Sequence, residues 1–210
     1  MVFFTTRAEV LGLLGINLPP DAFYLEILDI VIMSLAVGFI FKDMFRAPAP
    51  AGYDPIREIT QRSLNKQNLK FAIMAVAPAI VLHEMAHKFV AIAYGIPATF
   101  YAAYGWLLFG ILIKMLGVGF IFFVPGFVSL SPTDPLTGAV IALAGPFMHL
   151  VLWLFSRYAL SHNLFDKKYT PVLVASRYIN GFLLILNLLP IPGIDGWHVY
   201  QGLWQVFSGI

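Results

Sequence analysis

The sequence predicts an all-α polytopic membrane protein, with about five to six transmembrane helices and one short membrane-associated β-hairpin. Composition is the first reason. The 210 residues are 60% hydrophobic and 11% charged, with a mean hydropathy of +0.82. A soluble domain averages roughly 45–50% apolar and about 25% charged. The second reason is the length of the uninterrupted runs. Residues 72–82 and 89–113 carry no charged side chain, and one small soluble core does not accommodate several such runs. The third is residues 117–130, where β-branched and aromatic side chains surround Pro125-Gly126. That pattern reads as a hairpin, the alternative being a helical continuation of the preceding span.

The elements follow in order. Residues 1–21 read as an interfacial segment: Val10-Leu11-Gly12-Leu13-Leu14 is apolar but short, and Pro19-Pro20 stops any helix. The N-terminus lacks a signal peptide's order of charged region, apolar run and small-residue cleavage site, so insertion is expected to rest on the spans themselves. Residues 22–41 form a first span of the roughly 20 residues a bilayer requires. Glu26 and Asp29 lie in its first turns, either at the interface or facing other helices. Loop 42–70 holds Lys42, Arg46, Arg57, Arg62, Lys66 and Lys70 against Asp43, Asp54 and Glu58, which places it in the cytoplasm by the positive-inside rule. The second span, 71–94, then runs outward and stops at Gly95-Ile96-Pro97. Residues 100–116 are a third, short span whose Lys114 snorkels to the cytoplasmic face. The hairpin follows, then a loop at 131–135 and a fourth span at 136–157. The polar loop 157–171 falls outside; Lys167 and Lys168 oppose this, but 42–70 carries more positive charge. A fifth span, 172–189, breaks at Pro190-Ile191-Pro192-Gly193, and an apolar helix, 196–209, completes the chain. With no internal repeat, residues 1–210 read as a single transmembrane domain with its core at 69–200.

Composition also narrows the chemistry. The net charge is +2 and no long basic run occurs, so nucleic acid is not an expected partner. Cysteine is absent, which excludes disulfides, a thiol nucleophile and thiolate metal ligands. Any metal must be held by histidine and carboxylate. His83-Glu84-Met85-Ala86-His87 lies within the second span. Two histidines four residues apart share a helix face and can grip one ion, and the adjacent glutamate can act as base for a water held beside it. Ionisable groups at membrane depth are costly and usually functional. Chance yields this pattern on the order of a few times per thousand such chains.

A catalytic zinc site takes three protein ligands and keeps one position open. The candidates for a third ligand in apolar sequence are Asp195, His149 and His198. Asp195 is favoured because it follows a helix break, which at membrane depth is tolerated only around a cavity. Gly196 leaves room beside it. Counted along the two spans from opposite ends, His83 and Asp195 reach comparable depth. The alternative for Asp195 is an N-cap of the last helix.

These residues carry a family resemblance. The HExxH motif in one span, followed by Asn187-Leu188-Leu189-Pro190-Ile191-Pro192-Gly193-Ile194-Asp195-Gly196, resembles the site-2 protease family of intramembrane zinc metalloproteases. That family's second motif reads Asn-x-x-Pro, four residues, then Asp-Gly. Gly145-Pro146 fits a third landmark, and the likeness covers about 69–200. It implies that His83, His87 and Asp195 bind one zinc ion per chain. It implies that Glu84 is the general base and that Asn187 bonds the oxyanion or the substrate backbone. The implied substrates are transmembrane segments of membrane-tethered proteins, cleaved within the lipid bilayer of the cell membrane, as in regulated intramembrane proteolysis. The hairpin, near the active site, would hold an unwound substrate as an added strand.

The chain departs from the pattern in places. Where the family often has Asn three residues after Gly-Pro, His149 stands, as a polar cavity residue or a packing histidine. His198, three residues past Asp195, is a candidate supporting residue or spare ligand. Ile194 and Trp197 are milder changes. Lys88 either points into a water-filled route or balances Glu84. His162 is expected to be solvated. The chain shows no room for an added regulatory domain. The other readings are a proteolytically inactive zinc-binding homologue or chaperone, a membrane metalloprotease of the prenyl-processing type, and a transporter. Glu84, which zinc binding alone does not need, argues against the first. The Asp-Gly motif argues against the second, and the lack of a repeat against the third.

Overall fold

The apolar runs fold as helices, and among the described residues four are long and apolar enough to cross a membrane: Phe23–Phe45, Lys66–Ala93, Pro135–Ser161 and Lys167–Asn187. The computed structural model describes residues 6–13, 23–45, 66–117 and 125–209. Most of the interfacial segment, loop 46–65 and the first half of the expected hairpin therefore lie outside the described residues. In chain order the elements are α1 (Arg7–Leu13), α2 (Phe23–Phe41) with a 3-10 turn at Lys42–Phe45, α3 (Lys66–Ala93), β1 (Ala98–Ala102), α4 (Tyr104–Met115), β2 (Gly126–Leu130), α5 (Pro135–Ser161), α6 (Thr170–Asn187) and α7 (Asp195–Ser208). Helices α4 and α7 have 12 and 14 residues. At 1.5 Å per residue they reach roughly 18–21 Å, short of the roughly 30 Å hydrocarbon core.

Local chemistry sets the ends. Asp134 caps α5 by accepting the Thr137 N–H at 3.0 Å, and Pro135 follows where no N–H is needed. Hydrogen bonding from Thr137, first by its side chain and then by its N–H, holds the exposed Asp134 carboxyl below the usual carboxylate range. Helix α3 ends at Gly95, whose φ of +72° suits glycine. Helix α5 is central and packs against α3, α6 and α7, while α2 packs on α3. Met33, Val37, Ala75, Val76, Phe100 and Leu107 form a buried core between α2, α3, β1 and α4. Outward faces carry exposed large apolar side chains such as Phe89, Phe147 and Ile185, as suits a chain surrounded by lipid.

The two-stranded sheet is antiparallel, with Ala98 opposite Leu130, Phe100 opposite Val128 and Ala102 opposite Gly126. The expected strand at 126–130 is present. Its partner is β1, so α4 lies between the two strands in sequence. This corrects the reading of 100–116 as helix throughout: strand runs to Ala102 and helix starts at Tyr104. Thr99, Phe100 and Tyr101 favour a pleated conformation. Two carboxylates of α2 supply what a sheet edge in apolar surroundings lacks. Glu26 accepts the Phe100 N–H and Asp29 the Ala102 N–H, each at 3.3 Å. The Ala103 N–H reaches Pro125 O at 3.0 Å and the Ser131 N–H reaches Pro97 O at 3.4 Å, so odd-numbered residues of the two strands face each other. The backbone groups of Gly126, Val128 and Leu130 therefore point to the edge of β2 away from β1, where no strand lies among the described residues.

Glu26 and Asp29 thus face other elements rather than the interface. Asp29 is fully buried and also accepts from Arg7 Nη1 at 2.8 Å and Tyr104 Oη at 2.6 Å. Lys88 pairs with Glu26, not with Glu84. Lys114 pairs with Asp43 of the 3-10 turn. Exposed His162 ends α5, as expected of a solvated residue. An Asp29→Leu variant removes the carboxylate that accepts from the buried Arg7, Tyr104 and Ala102 and is expected to lose about 3–5 kcal/mol of stability. Adding Arg7→Leu should restore part of it. Denaturant titration in detergent reads both, and an unchanged midpoint for Asp29→Leu would contradict the network's role.

Candidate metal centre

His83, Glu84 and His87 are buried on α3. His83 is reached roughly 26 Å along the helix from Lys66. The segment between α6 and α7 brings the carboxylate to them. Gly193, with φ +89°, makes a turn that residues with a side chain rarely adopt, and α7 then opens at Asp195. The N-cap of α7 is Ile194, with no side-chain capping bond. The Asp195 carboxylate is thus not spent on its own helix, which removes the capping alternative. Gly196 is where the first turn of α7 touches the Leu188 and Leu189 backbone, which a Cβ would strike.

Asp195 Oδ2 lies 3.1 Å from His83 Nε2 and Oδ1 lies 3.4 Å from His87 Nε2. The two Nε2 atoms are 3.1 Å apart. All the ligand atoms of these three residues fall within 4.8 Å of one another. The donor set fits a metal. His87 Nδ1 is 2.7 Å from the Ile141 carbonyl. A carbonyl only accepts, so the imidazole proton sits on Nδ1 and Nε2 presents its lone pair. Two such nitrogens and one carboxylate are the donors that zinc takes, with a further position left open. Gly145 of α5 lets the rings come together, since a Cβ there would run into His83 and His87 Nε2.

A cavity of about 980 Å³ is lined by His83, Glu84, His87, His149, Asn187, Asp195 and His198, and by Gly126, Val128 and Leu130 of β2. The seven candidate site residues named from the sequence all line this one space, whereas Lys88, Trp197 and His162 do not. Among the three third-ligand candidates, Asp195 stands with the histidines, and His149 and His198 stand outside that group. His149 lies against the His83 ring, with centroids 4.6 Å apart and a 31° tilt. Asn187 closes α6 at the cavity wall. Two features escaped the sequence reading. The Ile141 carbonyl leaves no trace in sequence, since every residue has one. Asn180, fully buried and bonded to His149, had a signal: an amide inside an apolar span.

A Methanocaldococcus jannaschii protein named "Putative zinc metalloprotease MJ0611" is 32% identical to this chain over 187 residues, which are 87% of this chain and 85% of the relative. No family model matches the chain, and no solved structure matches it.

Proposed function

Because the chain belongs to the zinc metalloprotease family of this archaeal relative, we propose that it is an intramembrane endopeptidase of the site-2 protease type. It cleaves transmembrane segments of membrane-tethered proteins in regulated intramembrane proteolysis. The observation that supports this best is the convergence of His83, His87 and Asp195 beside Glu84 in one cavity, between helices long enough to cross a membrane. The protein is multi-pass in the cell membrane, with loop 42–70 cytoplasmic and no nucleic-acid partner.

His83 Nε2, His87 Nε2 and the Asp195 carboxylate would hold one zinc ion. When bound, zinc supplies Lewis acidity, polarising a carbonyl oxygen and easing deprotonation of a water. Glu84 takes the proton from the attacking water and delivers it to the leaving amine nitrogen. The Asn187 amide donates to the developing oxyanion. The edge of β2 away from β1, at Gly126, Val128 and Leu130, holds the substrate as an extended strand, since only an unwound segment presents its peptide bonds.

Protein purified in detergent should carry one zinc per chain and cleave a single-span substrate, and chelator should abolish cleavage. Zinc binding without cleavage of any tested segment would favour the chaperone reading instead. Asp195→Asn is expected to weaken zinc binding by more than about 100-fold, beyond the roughly 10–100-fold cost of losing an outer hydrogen-bond partner. Unchanged affinity would move the third ligand to His149 or His198.

A further inference from the structure

The chemistry above uses neither His149 nor the polar groups behind it. Yet these form a continuous chain between α5 and α6, buried at His149, Asn180 and Ser156 and part-buried at Ser176. Ser156 Oγ donates to Ser176 Oγ at 3.1 Å. Asn180 Nδ2 donates to the Ser176 carbonyl at 2.8 Å and to Ser176 Oγ at 3.2 Å. Asn180 Oδ1 lies 2.9 Å from His149 Nδ1. One backbone group orients the whole chain. The Ser176 carbonyl only accepts, so the Asn180 amide must turn its nitrogen there and its oxygen toward His149. His149 must then carry its proton on Nδ1, which holds the imidazole plane. That plane lies against the His83 ring at 4.6 Å.

The two histidine ligands are held differently. His87 has the Ile141 carbonyl at its second nitrogen. His83 Nδ1 is buried with no hydrogen-bond partner among the described residues. A ligand imidazole without such an anchor must be oriented by packing; the His87 ring meets it edge-on, and the ring against its face is His149.

We propose that His149 is a positioning residue for the metal ligand His83, itself held by Asn180, so that α6 is coupled to the metal centre through a ring stack. The proposal rests on the zinc reading and assigns His149 no bond to the metal. A stack needs a ring, not a nitrogen, which separates this role from ligation.

The experiment measures zinc affinity by chelator competition in detergent-purified protein, for His149→Ala, His149→Phe, Asn180→Leu and the last two combined. Loss of an outer-sphere support typically costs about 10–100-fold in metal affinity, and His149→Ala should fall in that range. His149→Phe keeps a ring against His83 and should stay closer to the parent than to His149→Ala. Asn180→Leu should weaken binding in the parent and have no further effect beside His149→Phe. The cobalt-substituted parent and His149→Phe proteins should share the same visible ligand-field bands. Parent-like affinity in His149→Ala overturns the proposal. So does an undiminished Asn180→Leu effect in the His149→Phe background, which would mean Asn180 acts through folding. A changed cobalt spectrum in His149→Phe also overturns it, by making His149 a ligand. A parent protein that binds no zinc overturns the metal centre itself, and this inference with it.

Discussion

A Glu84→Gln protein is expected to keep its zinc and lose about 10²–10⁴-fold in cleavage rate, the range attributed to general acid–base catalysis. Glu84 is buried on α3 one residue beyond His83, at the wall of the cavity that the metal group shares. Glutamine preserves its volume and packing but does not accept the proton from water or pass one to the leaving nitrogen. The metal-binding group is His83, His87 and Asp195, without Glu84, so metal content should match the parent. The check is metal analysis beside single-turnover cleavage of a single-span substrate. Equal rates for the two proteins would sink the mechanism, and loss of zinc from Glu84→Gln would make it a metal-site variant rather than a base variant.

The second large effect is expected at Gly145. A Cβ there would meet the His83 ring and His87 Nε2. Helix α5 has nowhere to retreat, because α3, α6 and α7 all pack on it. The rings must give instead, and moving them separates their nitrogens from Asp195 and pulls His87 Nδ1 from the Ile141 carbonyl. Overpacking a core costs about 1–3 kcal/mol, which a folded bundle can survive while its metal site does not. Gly145→Ala should therefore weaken zinc binding, and Gly145→Val should abolish it with helical content retained. Chelator competition and circular dichroism separate the two effects. Parent-like zinc affinity in Gly145→Ala would contradict the crowding of the rings by α5.

Parts of this architecture are legible in the sequence because they are local. A run of about 20 apolar residues is a one-dimensional property, so the four long helices were readable from composition alone. The spacing of His83 and His87 sets a shared helix face with no help from the rest of the chain. The Pro-rich break before Asp195 is likewise written in adjacent residues. Strand β1 was not readable. Residues 98–102 sit in a charge-free run, and what makes them a strand lies far away in sequence, in β2 and in the carboxylates of Glu26 and Asp29 on α2.

The same division runs through the metal group. Sequence determined which residue types could bind a metal: with cysteine absent, histidine and carboxylate had to serve, and Asp195, His149 and His198 remained as possible third partners. Only the packed helices separate them. The turn at Gly193 brings Asp195 to the Nε2 atoms, whereas His149 is turned to Asn180 and leans against the His83 ring at a 31° tilt. The physical reason is that donor chemistry belongs to the side chain, while convergence to a few ångströms depends on helices approaching across the bundle. That approach is set by side chains such as the missing one at Gly145, whose effect appears only when the opposing helix is in place.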